Sequence, residues 1–154
     1  MTQEQIKLSI TTLSQETLNQ SPYTPQEIQD FLFENLGAFR DSKEAIGKAI
    51  NFALSEPDRK KGEVFLCLDK DNQLVGVVVI NRPGMTGYVP ENFLVYIAVK
   101  SGMQGQGIGT YLFSEVFNRA KGSISLHVEH HNPAKRLYQK LGFTEKYAEM
   151  RLER

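Results

Sequence analysis

Apolar residues along this 154-residue chain recur in two rhythms, a helical period and short extended runs, and their order predicts a mixed sheet with helices packed against it. Within residues 1–23 a weak alternation at Ile6, Leu8 and Ile10 predicts a first edge strand. Thr24-Pro25-Gln26-Glu27 combines an N-cap, a proline at the first helical position and a capping-box glutamate; with Ile28, Phe31, Leu32 and Leu36 it predicts a helix over 25–36, stopped at Gly37. Asp41 with Glu44 repeats the capping signal for a second helix, whose stripe is Ile46, Ala49, Ile50, Ala53 and Leu54 and which ends before Pro57.

Strands are expected at 63–69 and 74–80, joined through Asp71-Asn72 as a hairpin and followed by a Gly- and Pro-containing loop at 81–87. Residues 92–99 are the most continuously apolar stretch and are expected to be a central strand buried on both faces. A helix from Ile108 to Lys121-Gly122 carries Leu112, Val116 and Ala120, and a strand follows at 124–129. Asn132-Pro133 opens a short helix with Ala134, Leu137, Tyr138 and Leu141 on one face, and 143–153 reads as a last strand with Phe143, Tyr147 and Met150 as its apolar members.

Composition narrows the class without changing the architecture. The length suits one compact domain spanning 1–154. Eighteen basic and eighteen acidic side chains cancel, so no overall field draws the protein to nucleic acid or an anionic membrane, and an anionic ligand needs a local cradle. The single Cys67 lies in the apolar run Val64–Leu68, where it reads as a small buried hydrophobe and not a nucleophile. No run approaches the roughly 18 apolar residues of a membrane span, and the N-terminus lacks a signal-peptide pattern, so a cytoplasmic location is expected.

The chemistry concentrates at Gln104-Gly105-Gln106-Gly107-Ile108-Gly109, directly after the buried strand and at the start of a helix. Bare backbone N–H groups backed by a helix N-terminus favour a phosphate. A nucleotide P-loop needs Lys-Ser/Thr after its last glycine, whereas Gly109 is followed by Thr110-Tyr111; a dinucleotide fingerprint needs two residues between its second and third glycines, and only Ile108 intervenes. The spacing that fits is Gln/Arg-x-x-Gly-x-Gly/Ala, matched by Gln104, Gly107 and Gly109, in which the chain resembles the GNAT superfamily of acyl-CoA-dependent N-acyltransferases. The segment Asn132-Pro-Ala-Lys-Arg-Leu-Tyr-Gln-Lys-Leu-Gly-Phe143 is similar to that family's Asn-x-x-Ala-x-x-Leu-Tyr-x-x-x-Gly-Phe, with one residue fewer between its Asn and its Ala.

The resemblance covers about residues 63–150 and implies an α/β fold of mixed-sheet (α+β) type with about four flanking helices, and acetyl-CoA as acyl donor. It further implies a pyrophosphate on the turn (Gln104, Gly105, Gln106, Gly107, Ile108, Gly109, Thr110), a pantetheine arm along Ile97, Ala98 and Val99, and Asn132 on that arm. Tyr138 would sit by the sulfur as general acid, a phenol being protonated at neutral pH. The implied reaction is acetyl transfer to a primary amine of a small molecule or peptide, by a monomer or homodimer with no metal; the alternative is a non-catalytic acyl-CoA-binding module.

That alternative is motivated by Phe93, which occupies the place where many relatives carry a base glutamate, eleven residues before Gln104. Glu91 shares its face in a regular strand and is the substitute candidate, relaying a proton through water, although a solvated strand-start carboxylate explains it equally well. His127, Glu129 and His130-His131 lack decisive spacing.

Overall fold

The computed structural model describes residues 7–154, so Ile6 of the expected first strand lies outside the described residues. Five strands, β1 (Ser9–Leu13), β2 (Gly62–Leu68), β3 (Leu74–Asn81), β4 (Asn92–Val99) and β5 (Ile124–Leu126), form one sheet in sequential order. The first three pairings are antiparallel, and β4 with β5 is parallel. The helices are α1 (Pro25–Asn35), α2 (Lys43–Ala53), α3 (Ile108–Arg119) and α4 (Ala134–Lys140). None is long and apolar enough among the described residues to cross a membrane.

The sheet separates two cores. On one face, Ile28 and Leu32 of α1 and Ile46, Ala49 and Ile50 of α2 pack on Val64, Leu66, Val77 and Val79. On the other, Ile108, Leu112, Phe113 and Val116 of α3 cover Phe65, Cys67, Val78 and Ile80, with Tyr138, Leu141 and Phe143 against the margin. Because both faces of β2 and β3 are covered, every residue of Gly62–Leu68 and Leu74–Ile80 is buried. The capping box of α1 forms as its sequence specifies: Glu27 N–H donates to the Thr24 hydroxyl at 3.1 Å, and Thr24 N–H donates to the Glu27 carboxylate at 2.9 Å.

Four expectations change. β4 is not buried throughout: Asn92, Leu94, Tyr96 and Ala98 are buried, while Phe93, Val95, Ile97 and Val99 are half-buried. Buried and half-buried residues alternate along the whole strand, so one side of it is less completely covered; in addition, β5 pairs only with Asn92–Leu94 and leaves the rest of that edge without a strand. The strand expected at 124–129 accordingly stops at Leu126. Residues 143–153 form no strand, and Tyr147, Met150 and Leu152 are exposed; alternation alone does not make a strand where no neighbour supplies the ladder. Finally, Asp41 does not cap α2; Ser42 does, its hydroxyl accepting from Ala45 N–H at 3.1 Å.

One further irregularity positions the site. Val79 pairs with Tyr96, but Ile80 pairs with Leu94, which leaves Val95 as an extra residue in β4. The bulge turns the strand over: Leu94 joins the α3-side core, whereas Tyr96 and Ala98 join the α1/α2-side core. Side chains two apart, which an unbroken strand would place on one face, here lie on opposite faces.

The closed end of the β4/β5 pair is locked by polar side chains. Glu63, buried at the start of β2, pairs with Arg82 and, at 3.7 Å, with Arg59. Arg82 Nε donates to Asn92 Oδ1 at 2.8 Å, and the fully buried Asn92 donates through Nδ2 to the carbonyls of Lys121 at 2.6 Å and Ser123 at 3.2 Å. One chain of contacts thus fastens β2, the β3 end, β4 and the entry to β5. Arg82→Leu leaves the Glu63 carboxylate buried with only the longer Arg59 contact, and unpairing a buried charge is expected to cost about 3 kcal/mol, read as a lowered urea midpoint.

Candidate active site

β4 leads directly into the glycine turn. Lys100 N–H donates to Val75 O at 2.9 Å, and Met103 N–H to Lys100 O at 3.0 Å, so the chain folds back tightly as the strand ends. Gln104 fastens this bend with its side chain: Nε2 donates to Val99 O at 3.2 Å and Oε1 accepts from Gly102 N–H at 3.0 Å. Gly105 and Gly107 take left-handed φ values of 81° and 82°, which L side chains adopt only at a cost.

Gly107 is also the N-cap of α3 and offers no side chain to cap it. The first-turn amides of Ile108, Gly109 and Thr110 therefore have no intrahelical acceptor, the first capping bond being Tyr111 N–H to Gly107 O at 3.0 Å. A Cβ on Gly105 would meet nothing within 4 Å, and one on Gly109 would meet only Val99 Cγ2 at 3.7 Å, so the absent side chains leave open space in front of those donors. Amides pointing into open space at a helix N-terminus, where the macrodipole is positive, form a cradle for phosphate oxygens.

Ile97, Ala98 and Val99 lie on the stretch of β4 that β5 does not cover, immediately upstream of this cradle. Apart from the Val99 carbonyl, which already accepts from Gln104 Nε2, backbone groups on that edge have no strand partner and are open to an extended ligand, as in strand addition. The strand residues and the turn thus follow closely along the chain, with Ala98 buried and Ile97 and Val99 half-buried.

Tyr138 sits at the margin of the α3-side core, its ring edge-on to Phe113 at 5.8 Å and Phe143 at 6.0 Å between centroids. Burial alone raises its pKa above the ordinary phenol value. Asn132 Oδ1 accepts from Ala134 N–H at 3.0 Å and shapes the entry to α4. The Glu91 Oε2 accepts from Ser123 N–H at 2.8 Å, tying the β4 entry to the α3–β5 turn. Phe93 packs edge-on against His127 with centroids 4.8 Å apart. Cys67 is fully buried, and burial, with Asp69 nearby, pushes its thiol up to about 12, which suits a packing residue.

A pair the sequence reading missed lies on the α1/α2 side. The Tyr96 hydroxyl donates to Asp41 Oδ2 at 2.6 Å. No local pattern joins residues 55 positions apart; the one visible cue is a phenol inside an apolar run.

The sequence profile of the family described as an acetyltransferase (GNAT) domain matches residues 61–145, more than half of the chain. No curated protein matches the sequence. Among solved structures, the aminoglycoside N-acetyltransferase AAC(6')-Iy in complex with CoA is 14% identical with a TM-score of 0.67, over 97% of this chain and 95% of that one. An aminoglycoside acetyltransferase from an uncultured soil metagenomic sample is 16% identical with a TM-score of 0.64, over 96% and 98%. A ribosomal-protein-alanine N-acetyltransferase from Brucella melitensis biovar Abortus 2308 is 16% identical with a TM-score of 0.61, over 95% and 99%. At such identities these neighbours speak for the fold, and the profile match carries the assignment. With the glycine cradle at the head of α3, the half-open β4 edge and this match in agreement, the chain belongs to the GNAT family of acetyltransferases.

Proposed function

We propose that the protein transfers the acetyl group of acetyl-CoA to a primary amine. The observation that carries this reading is the continuity of the uncovered β4 edge at Val95–Val99 with the uncapped amides of Ile108, Gly109 and Thr110. A ligand with an extended amide-bearing arm and a pyrophosphate matches that surface, the arm as a missing strand and the phosphates on the cradle. A solved neighbour of the same fold is in complex with CoA.

In this reading the chain's own groups supply position and protons. The cradle and Gln104, Gly105, Gln106 and Gly107 hold the pyrophosphate, Ile97 to Val99 align the arm, and Asn132 borders it. The acceptor nitrogen attacks the thioester carbonyl, the C–S bond breaks, and Tyr138 gives its proton to the departing sulfur; the nitrogen then releases a proton to a base. Burial supports Tyr138 as the acid, because it keeps the phenol protonated. Glu91 enters as a base acting through water from Oε1, since Oε2 is held by Ser123.

Binding to the folded state raises apparent stability, so acetyl-CoA is expected to raise Tm by several degrees at about 100 times its Kd, and ATP or NAD much less. Free thiol released in the presence of an amine panel measures transfer. An acetyl-CoA-dependent shift with no thiol release from any amine would support the binding-module reading, which Phe93 at the expected base position favours. Absence of any shift with a coenzyme A ester would sink both.

A further inference from the structure

Asp41 carries the signal of a helix cap, and the fold uses it elsewhere. With Ser42 capping α2, the Asp41 carboxylate is released from the helix, and its Oδ2 accepts from the Tyr96 hydroxyl at 2.6 Å. Tyr96 is the first residue after the Val95 bulge, only 8% exposed, and sits on the stretch of β4 that β5 leaves uncovered. Asp41 is exposed, in the connection between α1 and α2. It therefore stands over the open stretch on the face opposite α3.

The cations flanking it are engaged with α1. The Arg40 guanidinium lies 3.8 Å from the Phe33 ring centroid and donates to Phe33 O at 2.9 Å. Lys43 Nζ pairs with Asp30 at 2.7 Å. Tyr96 fixes one carboxylate oxygen without neutralising it, since a phenol donates a hydrogen bond and keeps its own charge at zero. What remains is an oriented carboxylate with Oδ1 available, beside the gap where the thioester would lie. Such a group suits N–H donors on a cation, because a charge-assisted hydrogen bond is shorter and stronger than a neutral one.

We propose that Asp41, held by Tyr96, anchors the protonated nitrogen of a cationic acceptor over the open stretch of β4. The proposal rests on the transferase reading for its location and adds the residue that selects the acceptor. It assigns Asp41 to binding, before the nitrogen sheds its proton and attacks. The acceptor approaches from the α1/α2 side, across the sheet from α3, and neutral analogues gain nothing from the carboxylate.

The test is calorimetric titration of spermidine, tyramine and kanamycin into the wild-type chain with saturating coenzyme A, repeated with Asp41→Asn and Tyr96→Phe. At least one cationic probe is expected to bind, Asp41→Asn to weaken it about tenfold or more, and Tyr96→Phe to weaken it a few-fold by freeing the carboxylate. N-acetyltyramine, which has no cationic nitrogen left, is expected to bind wild type and Asp41→Asn alike. Unchanged affinity in Asp41→Asn, or no binding of any cationic probe to wild type, overturns the anchor. Should Asp41→Asn fail to melt cooperatively, Tyr96→Phe decides: it keeps the ring and removes only the hydroxyl, and full-affinity binding in it overturns the proposal.

Thiol release in parallel separates this proposal from the one beneath it. Turnover with the amine KM unchanged in Asp41→Asn removes the anchor and leaves the transferase. Probe binding that depends on Asp41, without thiol release from wild type, keeps the anchor and removes the transferase. A raised amine KM at nearly constant kcat is the result expected of an anchor.

Discussion

Gly107→Val is expected to abolish the rise in Tm that acetyl-CoA gives the wild-type chain. Gly107 sits at φ 82° as the N-cap of α3. A β-branched residue there meets the Cβ–carbonyl clash of the left-handed region, about 1–2 kcal/mol for an ordinary residue and more for valine. The chain escapes by re-forming the helix start, which redirects the amides of Ile108, Gly109 and Thr110. The lost ligand stabilisation is about 2.7 kcal/mol at a ligand concentration of 100 times Kd, in addition to a lowered Tm of the unliganded variant. Thermal denaturation with and without acetyl-CoA checks both parts, and a valine variant that still shows the full ligand-dependent rise would remove the phosphate cradle from this turn.

Tyr138→Phe is expected to lower kcat by about 10²–10⁴-fold, the usual contribution of a positioned general acid, with Tm and the KM for acetyl-CoA nearly unchanged. The ring stays, so its edge contacts with Phe113 and Phe143 survive, and only the hydroxyl is lost. The pH dependence follows from the sign of the shift. Burial raises the folded-state pKa above the unfolded value of about 10, so the neutral phenol is favoured. Any stability this provides is fully present below the unfolded pKa and is lost only as pH rises through the higher folded one. Tyr138 therefore contributes no stability change and no basic limb of kcat across neutral pH; a limb there belongs to another group. Glu91→Gln in the same assay tests the base: a fall in kcat comparable to that of Tyr138→Phe supports Glu91, and an unchanged kcat removes it.

The local signals carried much of the architecture. Thr24, Pro25 and Glu27 gave a correct helix start because a capping box is complete within four residues. The turn at 104–109 was legible for the same reason: alternating glycines ahead of a helix state their own conformation. What failed depended on neighbours far away in sequence. Residues 92–99 look like a doubly buried strand, but every second residue is only half-buried, and the edge beyond Leu94 has no neighbour because β5 stops at Leu126. The bulge at Val95 leaves no mark in the sequence, and it decides that Tyr96 faces α1 and α2. Asp41 and Ser42 are both good caps, and choosing between them required knowing that Tyr96 competes for the aspartate.

The opened half of β4 has a second consequence. An uncovered strand edge of mostly apolar residues, Val95-Tyr-Ile-Ala-Val99, is a template on which another chain can add as a strand, and proteins ordinarily blunt such edges with charge, proline or a covering element. None of those five residues is charged or proline. If an acyl donor's amide arm lies along this edge, it acts as the absent neighbour and shields the strand as well as feeding the reaction. The empty protein is then the aggregation-prone form, and the donor is its solubilising partner.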